Sequence, residues 1–327
     1  MIVRDEILVL CDDRPGTASQ AIGLAKEIGL PHKILKLNYN FFSRLPNFFL
    51  RKSLLGLDHE TRQKIANLNY LPKLLISSGR RSAPVALFLK NLSKNRSKIV
   101  QIMNPNLPFS KFDFVILPKH DCHDERKISN LLTTVGSLTQ VSDSLIASEK
   151  EKFAPWFQNI EKIKIAVLFG GNSKNTKFEK NTAIRFGKLL SKIANNMDAK
   201  LLILNSRRSG EELSEALKSS LNCDYDFFDW EKVKAENPYV AILGWADFFV
   251  ITGDSVSMIS ECCATGKAVY IFDDKKISAK KHRKFHQSLF AQNYAKKLLH
   301  NATKLENFLP QKLQETKRIS ALIRRHF

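Results

Sequence analysis

Cysteine is scarce in this chain of 327 residues, and none of its five cysteines is spaced like a metal ligand. An odd number of cysteines in a chain of this size favours free thiols and a reducing, cytoplasmic compartment. Because no group of histidines and cysteines has ligand spacing either, we predict no metal ion and no cofactor. His282 and His286 lie four residues apart on a helical stretch, but no third ligand accompanies them, so a surface helix is the simpler interpretation.

Long apolar runs are also missing. No stretch approaches the roughly 20 uninterrupted apolar residues of a membrane-spanning helix. Arg4, Asp5 and Glu6 precede the first strand, which is not the pattern of a signal peptide. With 43% hydrophobic residues the chain can still fill two cores, which argues against bulk disorder. We therefore expect a cytoplasmic protein of two folded domains.

Acidic residues are outnumbered: 32 Asp and Glu stand against 52 Lys and Arg, a formal charge of +20. Nucleic acid, an anionic membrane surface and phosphorylated small molecules would each explain this balance, and so would compositional drift, because much of the excess is scattered lysine. The basic residues form no stripe and no recognition motif, so we predict that nucleic acid is not a partner.

What the chain does have is an alternation of short apolar runs and helical segments. Ile7–Cys11 is typical of a buried strand, and the alternation restarts at Ile163–Phe169 after the charged connection Ser142–Ile160. This pattern predicts an α/β fold with two Rossmann-like domains whose parallel sheets face a central cleft. The expected divisions are a first domain at 1–150, a second at 151–304, and a C-terminal helix at 305–327 that packs back on the first domain.

Small, polar and cationic residues follow the predicted strands. Ligands of open parallel sheets bind beyond the carboxyl ends of the strands, so these residues mark the expected site. In the first half they are Asp12, Asp13, Gly16, Thr17, Ser78, Arg80, Arg81, Asn104, His120 and Asp121. In the second half they are Gly170, Gly171, Asn172, Ser173, Arg207, Arg208, Asp254, Ser255, Val256 and Ser257. Two such clusters suit a donor–acceptor enzyme with a phosphorylated ligand.

The segment Ala246–Asp274 is the most informative of these. An apolar strand runs into a polar turn, and Ser255 and Ser257 lie where the next helix begins. The free N–H groups of a helix start favour a phosphate or another anion. Glu261, deeper in the helix, can accept hydrogen bonds from vicinal hydroxyls such as those of a ribose. The alternative is an ordinary serine-capped helix.

Two arginines and one helix start in the first half suit an anionic group. Arg80 and Arg81 follow a strand and offer a fork for phosphate or carboxylate, although adjacent side chains rarely share a face and at most one should touch a ligand. A solvated helix start is the alternative. Gly16 and Thr17 either hold an anionic group or only cap the first helix.

The segment Phe41–Lys52, FFSRLPNFFLRK, sets four phenylalanines among basic residues. This composition suits insertion into an anionic membrane surface, with packing against the protein's own core as the alternative. Membrane insertion would make the protein peripheral on the inner membrane face and its acceptor lipid-linked.

Several long motifs together resemble one family. They are DDRPGTASQAIGLA, LLISSGRRSAPVALFLK, IVQIMNP, VILPKHD, TTVGSLT, LFGGNSK, LILNSRR, NPY, VITGDSVSMISE and TGKAVYIF. In this order, over nearly the whole chain, they resemble the "elongated mitochondria" family of mitochondrial fission factors, whose bacterial members are uncharacterised or described as similar to nucleoside-diphosphate-sugar epimerases. That family is in turn similar to B-type glycosyltransferases, which join two Rossmann-like domains across a cleft.

The resemblance implies a nucleotide-sugar donor in the second domain. The helix-start amides at Ser255, Val256 and Ser257 would hold its phosphates and Glu261 its ribose, with the glycine turn at 170–173 and Arg207-Arg208 on the same side. The first domain would then hold the acceptor. Such transferases need no bound metal, because helix dipoles and cations offset the charge of the leaving diphosphate.

The chain lacks the second glutamate of the retaining subgroup, which favours an inverting transfer with a general base. His120 beside Asp121 is the first candidate for that base, ahead of Asp12 and Asp13. The alternative for His120 is a loop cap. The alternative for the whole chain is an adaptor that keeps the fold without turnover, as the fission role of the plant family implies.

Overall fold

The computed structural model describes residues 2–122, 128–172 and 176–326. The chain folds into two compact units. Unit 1 comprises Met1–Gln140 and Gln314–Phe327, and unit 2 comprises Val141–Leu313. Gln314–Phe327 therefore belongs to unit 1, although it follows unit 2 in sequence.

Unit 1 is built on a six-stranded sheet in which all neighbouring strands are parallel. Its strands are β1 (Ile2–Cys11), β2 (His32–Lys36), β3 (Tyr70–Ser78), β4 (Lys98–Ile102), β5 (Phe114–Pro118) and β6 (Leu131–Thr134). Their spatial order is β2-β1-β3-β4-β5-β6. The helices of its first segment are α1 (Pro15–Ile28), α2 (Asn47–Leu50), α3 (His59–Ala66) and α4 (Ala83–Leu92). Short 3-10 turns occupy Phe41–Arg44, Phe109–Lys111 and Lys119–Asp121.

Unit 2 repeats this plan. Its strands are β7 (Ile163–Phe169), β8 (Ala199–Asn205), β9 (Tyr225–Phe228), β10 (Phe248–Thr252), β11 (Ala268–Phe272) and β12 (Lys296–Lys297). They are parallel in the order β12-β11-β10-β7-β8-β9. Its helices are α5 (Asp143–Lys152), α6 (Ala154–Phe157), α7 (Lys180–Asn196), α8 (Gly210–Lys218), α9 (Tyr239–Trp245), α10 (Val256–Cys263) and α11 (Lys280–Ala291). The chain then returns to unit 1 as α12 (Glu315–Arg324).

The sheet of unit 1 is covered on both faces. Ile7 and Val9 of β1 pack with Leu24 of α1 and Ile319 of α12, whereas Leu10 belongs to the cluster that contains α4. Successive residues of a strand point to opposite faces, so a strand covered on both sides must be apolar throughout. This is why the strands appear in the sequence as uninterrupted apolar runs.

In unit 2 the core gathers on the central strands. Val167 and Phe169 of β7 pack with Phe186 of α7 and Leu217 of α8. All five residues of β10 are buried beside β7. Both sheets, predicted from the alternation of strands and helices, are confirmed.

The C-terminal segment differs from the helix-like run expected from Leu305 onwards, because it is helical only over α12. Before α12, the amide of Gln311 donates to the carbonyl of Asn293 (2.9 Å) and that of Leu313 to the carbonyl of Cys263 (3.0 Å). Pro310 has no amide proton to give a helix. These backbone amides before α12 thus donate to carbonyls of other parts of unit 2 rather than to carbonyls within a helix of their own.

Candidate functional site

The topology of unit 2 marks one point on its sheet. From β7 the chain builds β8 and β9 on one side, then crosses back to place β10 on the other side of β7. In open parallel sheets, ligands bind at the carboxyl ends of the strands where this reversal occurs. The loops at that point follow β7 at residues 170–172 and β10 at residues 253–255.

Asp254 ties these loops together from the inside. Its carboxylate accepts hydrogen bonds from the Gly171 amide (3.1 Å) and the Thr252 hydroxyl (2.7 Å), and pairs with Arg208 Nη2 (2.7 Å). The side chain is fully buried. Burial raises the pKa of Asp254, against the opposing effects of Arg208, Thr252 and the Gly171 amide. Asp254 therefore holds the loops in place and does not present itself to a ligand.

The two glycines after β7 are required by close packing. A Cβ on Gly170 would lie 2.1 Å from Asp254 Oδ1, and one on Gly171 would lie 2.1 Å from the carbonyl oxygen of Arg208. Asn172 closes the turn, since its amide donates to that same carbonyl (3.1 Å) and its Oδ1 accepts from the Phe178 amide (2.8 Å). Ser173, predicted with them, lies outside the described residues. Arg207, the residue before Arg208, is exposed.

The start of α10 is open for an anion. Ser255 is its N-cap, with its hydroxyl accepting from the Met258 amide (3.5 Å). That cap serves the third amide of the helix, so the first two, at Val256 and Ser257, are the groups that a ligand can use. Residues 255–257 are partly exposed, and the first turn carries no acidic side chain. Ser255 can therefore cap α10 while the amides of Val256 and Ser257 bind an anion, so the two interpretations of this helix start do not exclude each other.

Glu261 projects from the same helix and has a tyrosine partner. The hydroxyl of Tyr239, at the start of α9, donates to Glu261 Oε2. Burial raises the pKa of Tyr239 well above its ordinary value, and the neighbouring Glu261 adds to the effect, so the phenol stays a proton donor. Glu261 itself is partly exposed. Sequence reasoning missed Tyr239, although it stands in the Asn-Pro-Tyr motif.

At the matching point of unit 1, between β1 and β3, Arg81 is committed to two carboxylates. It forms ion pairs with both Asp12 and Asp13, and its Cζ lies 4.2 Å from the ring centre of Tyr39. Burial raises the pKa of Asp12, whereas hydrogen bonds with Asp12 and Arg81 lower the pKa of Asp13. Asp12 is buried, and 60% of the Asp13 side chain is exposed.

Arg80 has a structural role rather than that of a phosphate fork. Its guanidinium donates to the carbonyls of Leu45 (2.6 Å) and Ser43 (2.7 Å), and burial lowers its pKa. Asn47 returns the contact by donating to the carbonyl of Arg80 (2.7 Å). These bonds fasten the segment that precedes α2 to the loop after β3.

The remaining predicted positions of unit 1 form parts of turns. Thr17 is buried, and its amide donates to the Arg14 carbonyl (3.0 Å) at the start of α1, next to Gly16. Ser78 is buried too, and its hydroxyl has no hydrogen-bond partner within residues 2–122, 128–172 and 176–326. Asn104 accepts from the Asn106 amide (2.8 Å). Among these positions, the hydroxyl of Ser78 is the polar group that could still hydrogen-bond to a ligand.

His120, the first candidate for the general base, would have to be exposed to act on an acceptor, and its side chain is buried instead. Only 5% of its side chain is exposed, with Nε2 lying 4.0 Å from Asp121 Oδ2. The pair sits in the 3-10 turn after β5, two strands away from the β1–β3 point. The exposed Asp13, which lies at that point, is the better placed candidate base.

The histidines of α11 do not form a surface pair. His286 is fully buried, and its Nδ1 lies 3.1 Å from Asp273 Oδ1 at the end of β11. The chain also contains an Asp-x-Asp pair, Asp224-Tyr225-Asp226, at the start of β9. Its carboxylates are paired with Lys162 and Lys200. In the described part of the chain, no group of three or more His, Cys, Asp or Glu residues is arranged to hold a metal ion. Nor is any helix there both long and apolar enough to cross a bilayer.

Comparisons with known sequences relate the chain to other proteins. Residues 15–327 match the family described as Mitochondrial fission ELM1. An uncharacterized protein of Rickettsia prowazekii (strain Madrid E) is 32% identical over 350 residues, which cover 97% of each chain. The mitochondrial fission protein ELM1 of Arabidopsis thaliana is 25% identical over 241 residues, which cover 67% of this chain and 55% of the plant protein.

Solved structures share the fold. The UDP-GlcNAc 2-epimerase of Methanocaldococcus jannaschii, in complex with UDP-GlcNAc and UDP, has a TM-score of 0.52 at 12% identity, covering 98% of this chain and 99% of that chain. The glycosyltransferase SnogD from Streptomyces nogalater has a TM-score of 0.50 at 12% identity, covering 99% and 94%. At such identities the likeness is one of fold alone, and it confirms the predicted pair of parallel α/β sheets found in B-type glycosyltransferases.

Proposed function

Because the chain belongs to the Mitochondrial fission ELM1 family and has the fold of nucleotide-sugar enzymes, we propose that it is a glycosyltransferase-like protein whose unit 2 binds a nucleoside-diphosphate sugar. One observation carries the proposal. The open start of α10 and the partly exposed carboxylate of Glu261 lie on one helix, at the point of the sheet where ligands bind.

The two groups match the two polar parts of a nucleotide. The amides of Val256 and Ser257 would take the diphosphate, which the positive end of the helix favours. Glu261 lies five residues after Val256, a rise of about 7.5 Å along the helix axis. Its carboxylate, oriented by the Tyr239 hydroxyl, would accept hydrogen bonds from the ribose hydroxyls.

We propose transfer without a metal ion. The exposed Arg207, with the helix start, would offset the charge that develops on the leaving diphosphate, whereas the charge of Arg208 is paired with Asp254. The acceptor belongs to unit 1, where Asp13 would serve as general base in an inverting transfer. The lowered pKa of Asp13 keeps its carboxylate ionised at neutral pH, the form that a general base requires, although the hydrogen bonds with Asp12 and Arg81 that lower the pKa also weaken the base.

An adaptor without turnover is the second candidate function. The observation that favours it is the engagement of the strand-end cations in internal contacts: Arg80 with backbone carbonyls, Arg81 with two aspartates and Arg208 with Asp254. An adaptor of this kind would still bind a nucleotide at the start of α10 but would not transfer a sugar.

A panel of nucleotides tests the proposal. We expect thermal-shift screening of the full chain against UDP, ADP, GDP, CDP and TDP, alone and as sugar conjugates, to show stabilisation by one base family. Addition of EDTA should not change that shift. Binding with slow release of the sugar to water would support a transferase, and binding without any release would support the adaptor. Failure of every nucleotide to stabilise the protein would refute the donor site.

A further inference from the structure

The segment Phe41–Lys52, here termed the aromatic loop, reverses the usual arrangement of polar and apolar side chains. Its phenylalanines Phe41, Phe42, Phe48 and Phe49 are 72%, 46%, 68% and 66% exposed. Its polar residues Ser43 and Asn47 are buried. Folding removes apolar surface from water wherever it can, so four exposed phenylalanines on one 12-residue segment need a partner to cover them.

The aromatic loop is firmly held in this orientation. Asn47 donates to the carbonyls of Arg80 (2.7 Å) and Pro105 (2.6 Å), while Arg80 donates back to the loop at Ser43 and Leu45. Asn40, just before the loop, donates to the Leu57 carbonyl (2.7 Å). Hydrogen bonds of the side chains of Asn40, Asn47 and Arg80 thus fix the backbone of the loop, and its phenylalanines are left exposed.

The cations of the loop indicate the chemistry of the partner. Arg44 lies 5.4 Å from the ring centre of Phe41, and Arg51 lies 5.7 Å from that of Phe48. Lys52 is exposed beside them, and the loop contains no acidic residue. Aromatic rings that enter the boundary between headgroups and acyl chains, with cations at the level of the lipid phosphates, are typical of peripheral binding to anionic bilayers.

We propose that the aromatic loop docks unit 1 on an anionic lipid bilayer. Four phenylalanines enter the headgroup region and Arg44, Arg51 and Lys52 contact lipid phosphates. A second copy of the chain fits the loop less well, because a two-fold interface would set these same cations against each other. Docking does not depend on glycosyl transfer. If unit 2 does carry a nucleotide-sugar, the docking points to a lipid-linked acceptor, because Arg80 and Asn47 join the loop directly to the strand ends of unit 1.

Vesicle sedimentation of the full chain tests this proposal. We expect the protein to sediment with vesicles of phosphatidylglycerol and phosphatidylcholine, and far less with pure phosphatidylcholine. The double variant Phe48→Ser/Phe49→Ser should bind at least about tenfold more weakly, because two rings lose their apolar surroundings. Arg44→Gln/Lys52→Gln should weaken binding to anionic vesicles and reduce its dependence on salt. The control is Leu309→Ser in unit 2, a residue that is 92% exposed, which should bind like the wild type.

Two further readouts make the outcomes distinct. Because all substituted side chains are exposed, the variants should melt at the wild-type temperature and keep the wild-type response to nucleotides, so a failure of docking is separate from a failure of the donor site. Equal binding of wild type and the Phe48→Ser/Phe49→Ser variant to anionic vesicles would overturn the proposal. So would a wild-type dimer that ignores vesicles and becomes a monomer in that variant by sedimentation velocity, since the loop would then join two copies.

Discussion

Replacing Asp254 by alanine should destabilise unit 2 by about 3–5 kcal/mol, the usual cost of removing one partner from a buried ion pair. The carboxylate is fully buried and serves Arg208, the Gly171 amide and the Thr252 hydroxyl at once. Alanine leaves these donors without their acceptor, and a stranded buried donor costs about 1–3 kcal/mol. Arg208 is partly exposed and can turn towards water, which places the total near the lower end of the range.

Calorimetry measures this effect directly. For a unit of the size of Val141–Leu313, a loss of about 3 kcal/mol lowers the Tm by roughly 6–12 °C. The matched control is Glu231→Ala, which removes an acidic side chain from an exposed ion pair with Lys234 and should leave the Tm nearly unchanged. A variant at Asp254 that melts with the wild type but no longer binds nucleotide would refute the reasoning, because the carboxylate would then be a ligand contact.

Three further substitutions test the packing of Gly171 against Arg208, the ion pair of Asp273 with His286, and the candidate base Asp13. Gly171→Ala places a Cβ 2.1 Å from the Arg208 carbonyl and should lower the Tm of unit 2; an unchanged melting curve would contradict the close packing. In the Asp273–His286 pair, burial raises the pKa of Asp273 but the hydrogen bond and charge of His286 outweigh it, so the pKa is lowered. The pair then stabilises the fold above the unfolded pKa of about 3.9 and loses this effect as the pH falls further. The Tm deficit of Asp273→Asn should therefore shrink below pH 4, and a deficit independent of pH would count against the pair. Asp13→Asn should reduce any transfer by roughly a hundredfold or more with donor affinity intact, and wild-type turnover would remove Asp13 from the mechanism.

The two parallel sheets could be predicted from the sequence because strands that are buried on both faces of a sheet are runs of apolar residues. Apart from Lys164 near its exposed start, Ile163–Phe169 is apolar, and the observed strand β7 has those same bounds. The positions after the strands, such as Gly170 and Ser255, followed from the rule that ligands bind at carboxyl ends.

The pairing of polar groups could not be obtained in that way. Asp254 and Arg208 are separated by 46 residues, and only the order of strands brings them together. The spacing of His282 and His286 places both side chains on one face of a helix. It does not show that Asp273, which lies outside that helix, would pair with His286. The outward turn of Phe48 depends on hydrogen bonds between Asn47 and a loop 33 residues away. Each of these contacts is a property of the tertiary structure, which composition and periodicity do not contain.

Calorimetric titration of nucleoside diphosphates into the wild type and Glu261→Gln tests the central claim most directly. Exchanging the carboxylate for an amide weakens its hydrogen bonds to the ribose, worth about 1.5–3 kcal/mol, so the Kd should rise roughly 10- to 100-fold while the Tm without nucleotide stays the same. Glu212→Gln, an exposed glutamate of α8, should titrate like the wild type. Equal affinity in the wild type and Glu261→Gln, or no nucleotide binding by either, would contradict a donor site on α10.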